Sequence, residues 1–178
     1  MVKLNLDDRI LILGESKSGK TYLGDIMLQA YKRIVVITSD PTEFKWAKNR
    51  IVTIDPGEVN GAIQKALEMG RVVIAIDDAD LYFTKYISDE NVRYLLIAGR
   101  HRKVGWAFMG RRTQDLPTLV FKQANKVFAF QTDLDLDRET YRKNYGEQFE
   151  QLVNGLNRDA HQFVFFDRDS RQMRVMTA

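Results

Sequence analysis

Arg9-Ile10-Leu11-Ile12-Leu13-Gly14-Glu15-Ser16-Lys17-Ser18-Gly19-Lys20-Thr21 is the stretch that decides the fold. Ile10–Leu13 is an uninterrupted apolar run, and Arg9–Leu13 reads as a buried strand. Thr21–Lys32 follows with Leu23, Ile26, Met27 and Ala30 at helical spacing. Between them, Gly14–Thr21 matches GxxxxGK[ST] in full, in the strand–loop–helix context that gives the pattern its meaning. At average residue usage such a match arises by chance in roughly one chain of this length in a hundred. Glycines let the backbone turn tightly, so that successive N–H groups point inward at phosphate oxygens. The helix N-terminus adds partial positive charge at the same place. Gly14, Glu15, Ser16, Lys17, Ser18, Gly19, Lys20 and Thr21 are therefore the expected nucleotide-binding residues. Lys20 would reach the β- and γ-phosphates, and the Thr21 hydroxyl would ligate Mg²⁺. The bland alternative is a glycine turn that merely caps a helix.

Two further stretches narrow the class. Val72-Val73-Ile74-Ala75-Ile76-Asp77-Asp78 is an apolar strand ending in paired acids. Asp77 would hold Mg²⁺ through water, and Asp78 would orient and deprotonate the attacking water. On their own, two acids after a strand are also a common solvated turn. Gly105–Gly110 is another apolar strand, ending in Arg111-Arg112-Thr113-Gln114. The Gln114 amide is placed to sense a γ-phosphate, which requires this strand to lie between the phosphate-loop strand and the one ending in Asp77. A guanine-reading Asn-Lys-x-Asp motif is missing, since Asn125-Lys126-Val127 is followed by Phe128. The expected ligand is ATP with Mg²⁺.

The rest of the chain alternates apolar β-branched runs with amphipathic stretches, which is the α/β signature. Strands are expected at Ile34–Thr38, Ile51–Ile54 and Val127–Phe130, and helices at Val59–Met69, about Ser88–Ala98 and Thr118–Ala124. A charged helical region runs from about Asp137 to Leu156, and Phe163–Phe166 with Met173–Met176 form a terminal hairpin. The expected fold is a three-layer P-loop NTPase sandwich: a mostly parallel sheet, helices on both faces and a C-terminal β-hairpin. With 178 residues, one domain spanning 1–178 is expected. No cysteine is present, which excludes disulfides and thiolate metal sites, and the two histidines are far apart in the sequence. A formal charge of only +3 means that nucleic-acid affinity would have to come from local clusters. No apolar run approaches the ~18 residues of a membrane span, and the start of the chain lacks a signal peptide's apolar stretch. The host cytoplasm or a virion is the expected location.

From Gly99 to Phe130 the chain reads GRHRKVGWAFMGRRTQDLPTLVFKQANKVFAF. This resembles the FtsK–HerA superfamily of pumping ATPases, in which a basic, glycine-containing segment leads into a strand ending in Thr-Gln, then a Leu-Pro turn, a short helix and a strand. The resemblance covers the motifs of about Arg9–Phe130. It implies that Arg102, three residues before Gly105, acts in trans as a finger on a neighbouring subunit's nucleotide, with Arg100 as the alternative. A guanidinium suits that role because it stays charged and is rich in donors. Against this stands the plain reading that these cations solvate a helix end. One departure is Asp78, where the family carries Glu; Asp80 is a possible substitute.

The compact build is most similar to the genome-packaging ATPases of tailless, membrane-containing DNA viruses. That similarity implies double-stranded DNA gripped without sequence readout, a homo-oligomeric ring (hexamer or pentamer), and capsid or membrane proteins at a virion vertex as partners. Lys45, Trp46, Lys48 and Arg50, and Tyr82–Tyr86, are the candidate DNA contacts. Two other functions stay open: a nucleotide-gated phage assembly or extrusion protein with little hydrolysis, favoured by Asp78, and a small P-loop kinase.

Overall fold

The computed structural model describes residues 4–83 and 89–178. An eight-stranded sheet is built from β1 (Arg9–Leu13), β2 (Ile34–Thr38), β3 (Arg50–Val52), β4 (Val72–Ile76), β5 (Val104–Gly110), β6 (Lys126–Phe130), β7 (Gln162–Asp167) and β8 (Gln172–Thr177). The helices are α1 (Lys20–Leu28), α2 (Pro56–Met69), α3 (Glu90–Ala98), α4 (Thr118–Gln123), α5 (Asp135–Tyr145) and α6 (Glu147–Asn154). Spatial order is β3-β2-β4-β5-β1-β6-β7-β8. All pairings from β3 through β6 are parallel, and β7 and β8 close the edge antiparallel. The expected fold class is therefore borne out, and so is the position of β5 between β1 and β4.

The apolar runs are continuous because both faces of the sheet are covered. Leu11, Ile74, Ile76, Trp106, Phe108 and Val127 point to one layer, with α2 to α6. Ile10, Ile12, Val73, Ala75, Met109 and Phe128 point to the other, with α1 and the loop after β2. The expected charged helical region after β6 is two helices. Gly146, at φ 96°, separates α5 from α6 in a conformation that side-chain-bearing residues rarely adopt.

Helix ends depart modestly from expectation. α1 stops at Leu28 and not Lys32, because Tyr31 turns inward and is buried before β2. α2 begins earlier, at Pro56, with the Asp55 side chain accepting from the Gly57 N–H and proline at the first turn.

Candidate functional site

The parallel strands all deliver their C-terminal ends to one edge, where β1 opens into the phosphate loop. Gly14 N–H donates to the Gly110 carbonyl at 3.1 Å, tying the loop to the end of β5. A side chain at Gly14 would meet Ser18 Oγ at 2.4 Å and Phe130 at 3.0 Å, so no larger residue fits. Lys17 (φ 65°) and Gly19 (φ 101°) adopt left-handed conformations that curl the loop before α1 begins. Ser18 is buried, yet its hydroxyl has no partner among the described residues. A buried hydroxyl left unpaired is costly; in a loop of inward-facing amides, a bound phosphate would satisfy it.

Lys20 and the acid pair converge as the sequence anticipates. Lys20 Nζ lies 3.3 Å from Asp77 Oδ1 and 3.3 Å from Asp78 Oδ1. Thr21 Oγ1 is 3.5 Å from Asp77 Oδ2. Thr21 and Asp77 thus stand together as a hydroxyl and a carboxylate, the oxygen donor set that suits Mg²⁺ beside a phosphate. The cleft over the loop encloses about 510 Å³ and is lined by Glu15–Tyr22, Glu43, Asp78, Arg111, His161 and Ala178.

Arg111, rather than Gln114, reaches this cleft from the end of β5. Its Nε and Nη2 lie 2.9 and 2.8 Å from Asp80 Oδ2, and its backbone N–H donates to Asp80 Oδ1 at 3.2 Å. Hydrogen bonding to Asp80 raises the guanidinium's pKa above its usual value. Asp80 is thereby committed to Arg111. Gln114 lines a separate cleft of about 270 Å³ between α4 and α5. Arg102 lies at the other end of β5, where its Nη1 donates to the Leu67 carbonyl at 3.3 Å. At about 3.3 Å per residue, the seven residues of β5 place it some 20 Å from the phosphate loop of its own subunit.

Several contacts around the cleft carry no motif. Glu15 is ion-paired with Arg158, which also reaches Asp133 at 3.4 Å. His161 Nδ1 lies 3.1 Å from the Ser18 carbonyl. The segment leading into β7 therefore clasps the phosphate loop from across the chain. Glu43, in the loop after β2, also faces the cleft. Burial and the adjacent Asp77 push its carboxyl up to about 8.

The candidate DNA contacts divide. Trp46 Nε1 donates to Asp25 Oδ1 at 2.7 Å, and Arg50 Nη1 donates to the Pro41 and Glu43 carbonyls. Both are structural ties, whereas Lys45 and Lys48 are exposed. Tyr82 and Phe83 are buried, with Tyr82 Oη donating to the Thr53 carbonyl at 2.6 Å. Thr84–Tyr86 lie outside the described residues.

No protein-family model and no curated protein matches the chain. Solved structures do. The DNA-packaging ATPase B204 from Sulfolobus turreted icosahedral virus is 24% identical, with a TM-score of 0.82 over 98% of both chains. The genome packaging NTPase B204 from Sulfolobus turreted icosahedral virus 2, in complex with ATP-gammaS, is 22% identical, with a TM-score of 0.81 over 98% of both. The N-terminal domain of zonular occludens toxin from Neisseria meningitidis is more distant: 13% identity and a TM-score of 0.56, covering 96% of this chain and 94% of that one. The chain shares the fold of these proteins along nearly its whole length. Among the described residues, no helix is long and apolar enough to cross a membrane.

Proposed function

We propose that this chain is an ATP-hydrolysing motor of the FtsK–HerA superfamily that translocates double-stranded DNA, in viral genome packaging into a preformed capsid. The observation that carries the reading is the convergence of Lys20, Thr21, Asp77 and Asp78 under one phosphate loop. End-to-end likeness to two packaging NTPases supports it. On this reading 1–178 is a single ATPase domain, working in a homo-oligomeric ring in the host cytoplasm or the virion.

Each residue then has a task. The loop amides and the Ser18 hydroxyl hold phosphate oxygens, and Lys20, held on one side by the acid pair, reaches the β- and γ-phosphates. Thr21 and Asp77 would hold Mg²⁺, which, when bound, neutralises charge that develops on the transferred phosphoryl group. Arg111, fixed by Asp80, faces the same cleft and offers a second cation to that charge. Arg102 is too distant to serve its own subunit, and in a ring it would serve the next. Contacts with DNA would go to phosphates and not bases, since a motor must move any sequence. Capsid or membrane proteins at the virion vertex complete the set of partners.

Purified protein should hydrolyse ATP with Mg²⁺, and duplex DNA should stimulate it. Arg102→Ala should keep nucleotide binding and lose turnover. Turnover indifferent to duplex DNA in every assembly state would count against translocation. Asp78, held by Lys20 and 3.9 Å from Arg111, supports one other reading, a nucleotide-gated assembly protein. Tight binding with negligible turnover would select it.

A further inference from the structure

Hydrolysis needs a carboxylate to prepare water, and Asp78 is poorly free to do so. Its Oδ1 is engaged by Lys20, and its backbone sits in a left-handed conformation (φ 46°, ψ 48°) that fixes its direction. Asp80 is held by three donors from Arg111. Of the other carboxylates in the cleft lining, Glu15 is tied to Arg158 and to Thr132 Oγ1. That leaves Glu43.

Glu43 is held firmly by its backbone. Phe44 is 2% exposed and anchors the loop in the layer beside α1. Arg50 Nη1 donates to the Glu43 carbonyl at 2.6 Å, and the Glu43 N–H donates to the Asp40 carbonyl at 3.3 Å. Among the described residues its carboxyl accepts a long 3.5 Å bond from Thr38 Oγ1 and is hydrogen-bonded with Asp77. Because β2 is the direct neighbour of β4, the loop after β2 brings Glu43 against Asp77 from the side opposite β5. A fixed backbone with a carboxyl that lines the nucleotide cleft beside Asp77 is the geometry of a group that orients water.

We propose that Glu43 is the catalytic carboxylate that orients the attacking water and takes its proton. The inference rests on the hydrolytic reading of the site. As the water oxygen bonds to the γ-phosphorus, the bond from that phosphorus to the β,γ-bridging oxygen breaks. Its electron pair leaves on ADP, and the water proton passes to Glu43. Asp78 then serves to place Lys20 and Arg111, and a side chain one carbon shorter than Glu suffices for that task.

The test compares Glu43→Gln, Glu43→Asp and Asp78→Asn, each checked for folding by circular dichroism, with ATPγS affinity and ATP turnover measured in parallel. Glu43→Gln should bind ATPγS within about threefold of wild type and lose at least about 100-fold in turnover, the usual scale of a lost general base. Glu43→Asp should recover part of that loss, and Asp78→Asn should lose less than Glu43→Gln. Turnover of Glu43→Gln close to wild type overturns the assignment and leaves the hydrolytic reading standing. So does a fall in ATPγS affinity that matches the fall in turnover. Wild-type protein that binds ATPγS tightly and hydrolyses nothing overturns both.

Discussion

The two edges of the sheet differ in how their charges are held. At the C-terminal ends of the strands stand Glu15, Asp40, Glu43, Asp55, Asp77, Asp78, Asp80, Asp115 and Asp133. At the N-terminal ends, a cation meets strand after strand: Arg33 precedes β2, Arg71 precedes β4, Lys103 precedes β5, Arg9 opens β1 and Arg168 follows β7. At the first edge Lys20, Arg111 and Arg158 are each in ion pairs. Those five of the second edge form none among the described residues. Burial, and then the nearby Arg100, lower the pKa of the Arg9 guanidinium, as expected where positive charge is crowded. One edge is a finished pocket for a small anionic ligand. Beyond the ion pairs of Lys126 with Asp8 and Asp167, the other is a row of cations suited to a broad acidic surface such as that of a second copy.

The sharpest way to separate the edges is to remove one cation from each. Lys20→Ala should abolish ATP turnover, a loss of at least about a thousandfold, since it removes the charge aimed at the phosphates. Arg71→Ala should leave ATPγS affinity unchanged, because its strand enters the sheet at the far end. Equal loss of affinity in both variants, by fluorescence titration, would break the division of labour.

A second contrast uses buried acids. Asp137 accepts from Thr113 N–H at 2.9 Å, from Thr113 Oγ1 and from Thr132 Oγ1, which in turn is near Glu15 of the phosphate loop. Asp8, at the other edge, accepts from Asn5 N–H and Asn125 Nδ2 and lies 3.9 Å from Lys126. Both Asp137→Ala and Asp8→Ala strand buried donors and should cost about 3 kcal/mol in urea unfolding. Only the first should also weaken ATPγS binding, by several-fold, because only its network reaches the phosphate loop.

The charge row itself makes a weaker prediction. Self-association of the protein, followed by sedimentation, should decline by about tenfold in affinity between 50 and 500 mM salt, as screening shortens the Debye length. Replacing Arg71 and Lys103 by Glu should produce a similar decline at low salt. Association indifferent to both would remove the electrostatic account of the basic edge.

These contrasts also mark how far the sequence could be read. The phosphate loop, Asp77, Asp78 and the order β1-β5-β4 were legible, because each follows from a run of adjacent residues with its own physical pattern. Glu43 was not. Asp40 and Glu43 both follow β2, and the choice between them depends on a turn: Asp40 Oδ1 is occupied by the Thr42 N–H and hydroxyl, both at 2.7 Å. Acids past the end of the strand beside β4 could have been tabulated as candidates, but the turn decides which one faces inward. Arg158 and Glu15 were hidden differently, since they are 143 positions apart and meet only through the fold. Gln114 was placed by its distance from a strand end, whereas the 3-10 turn at Thr113–Asp115 carries it to the neighbouring cleft and leaves Arg111 in the first.

The smallest expected effect concerns protons at the acidic edge. Burial beside Asp77 raises Glu43 to about 8 from an ordinary value of 4.5. In nucleotide-free protein the folded state therefore keeps a proton that the unfolded chain releases near its ordinary pKa. That linkage contributes stability in full below about pH 4.5 and loses it progressively as pH rises through about 8. Glu43 is partly exposed to solvent, so the effect is a modest drift in Tm and not a transition. Glu43→Gln, which mimics the protonated form, should flatten that drift between pH 5 and 9, whereas the same substitution of Glu68 at the basic edge should leave it intact. A wild-type Tm that rises over this range, or a drift that Glu43→Gln fails to flatten, would mean that the carboxylates of the nucleotide edge do not share a proton, and that edge would then differ from its opposite in charge alone.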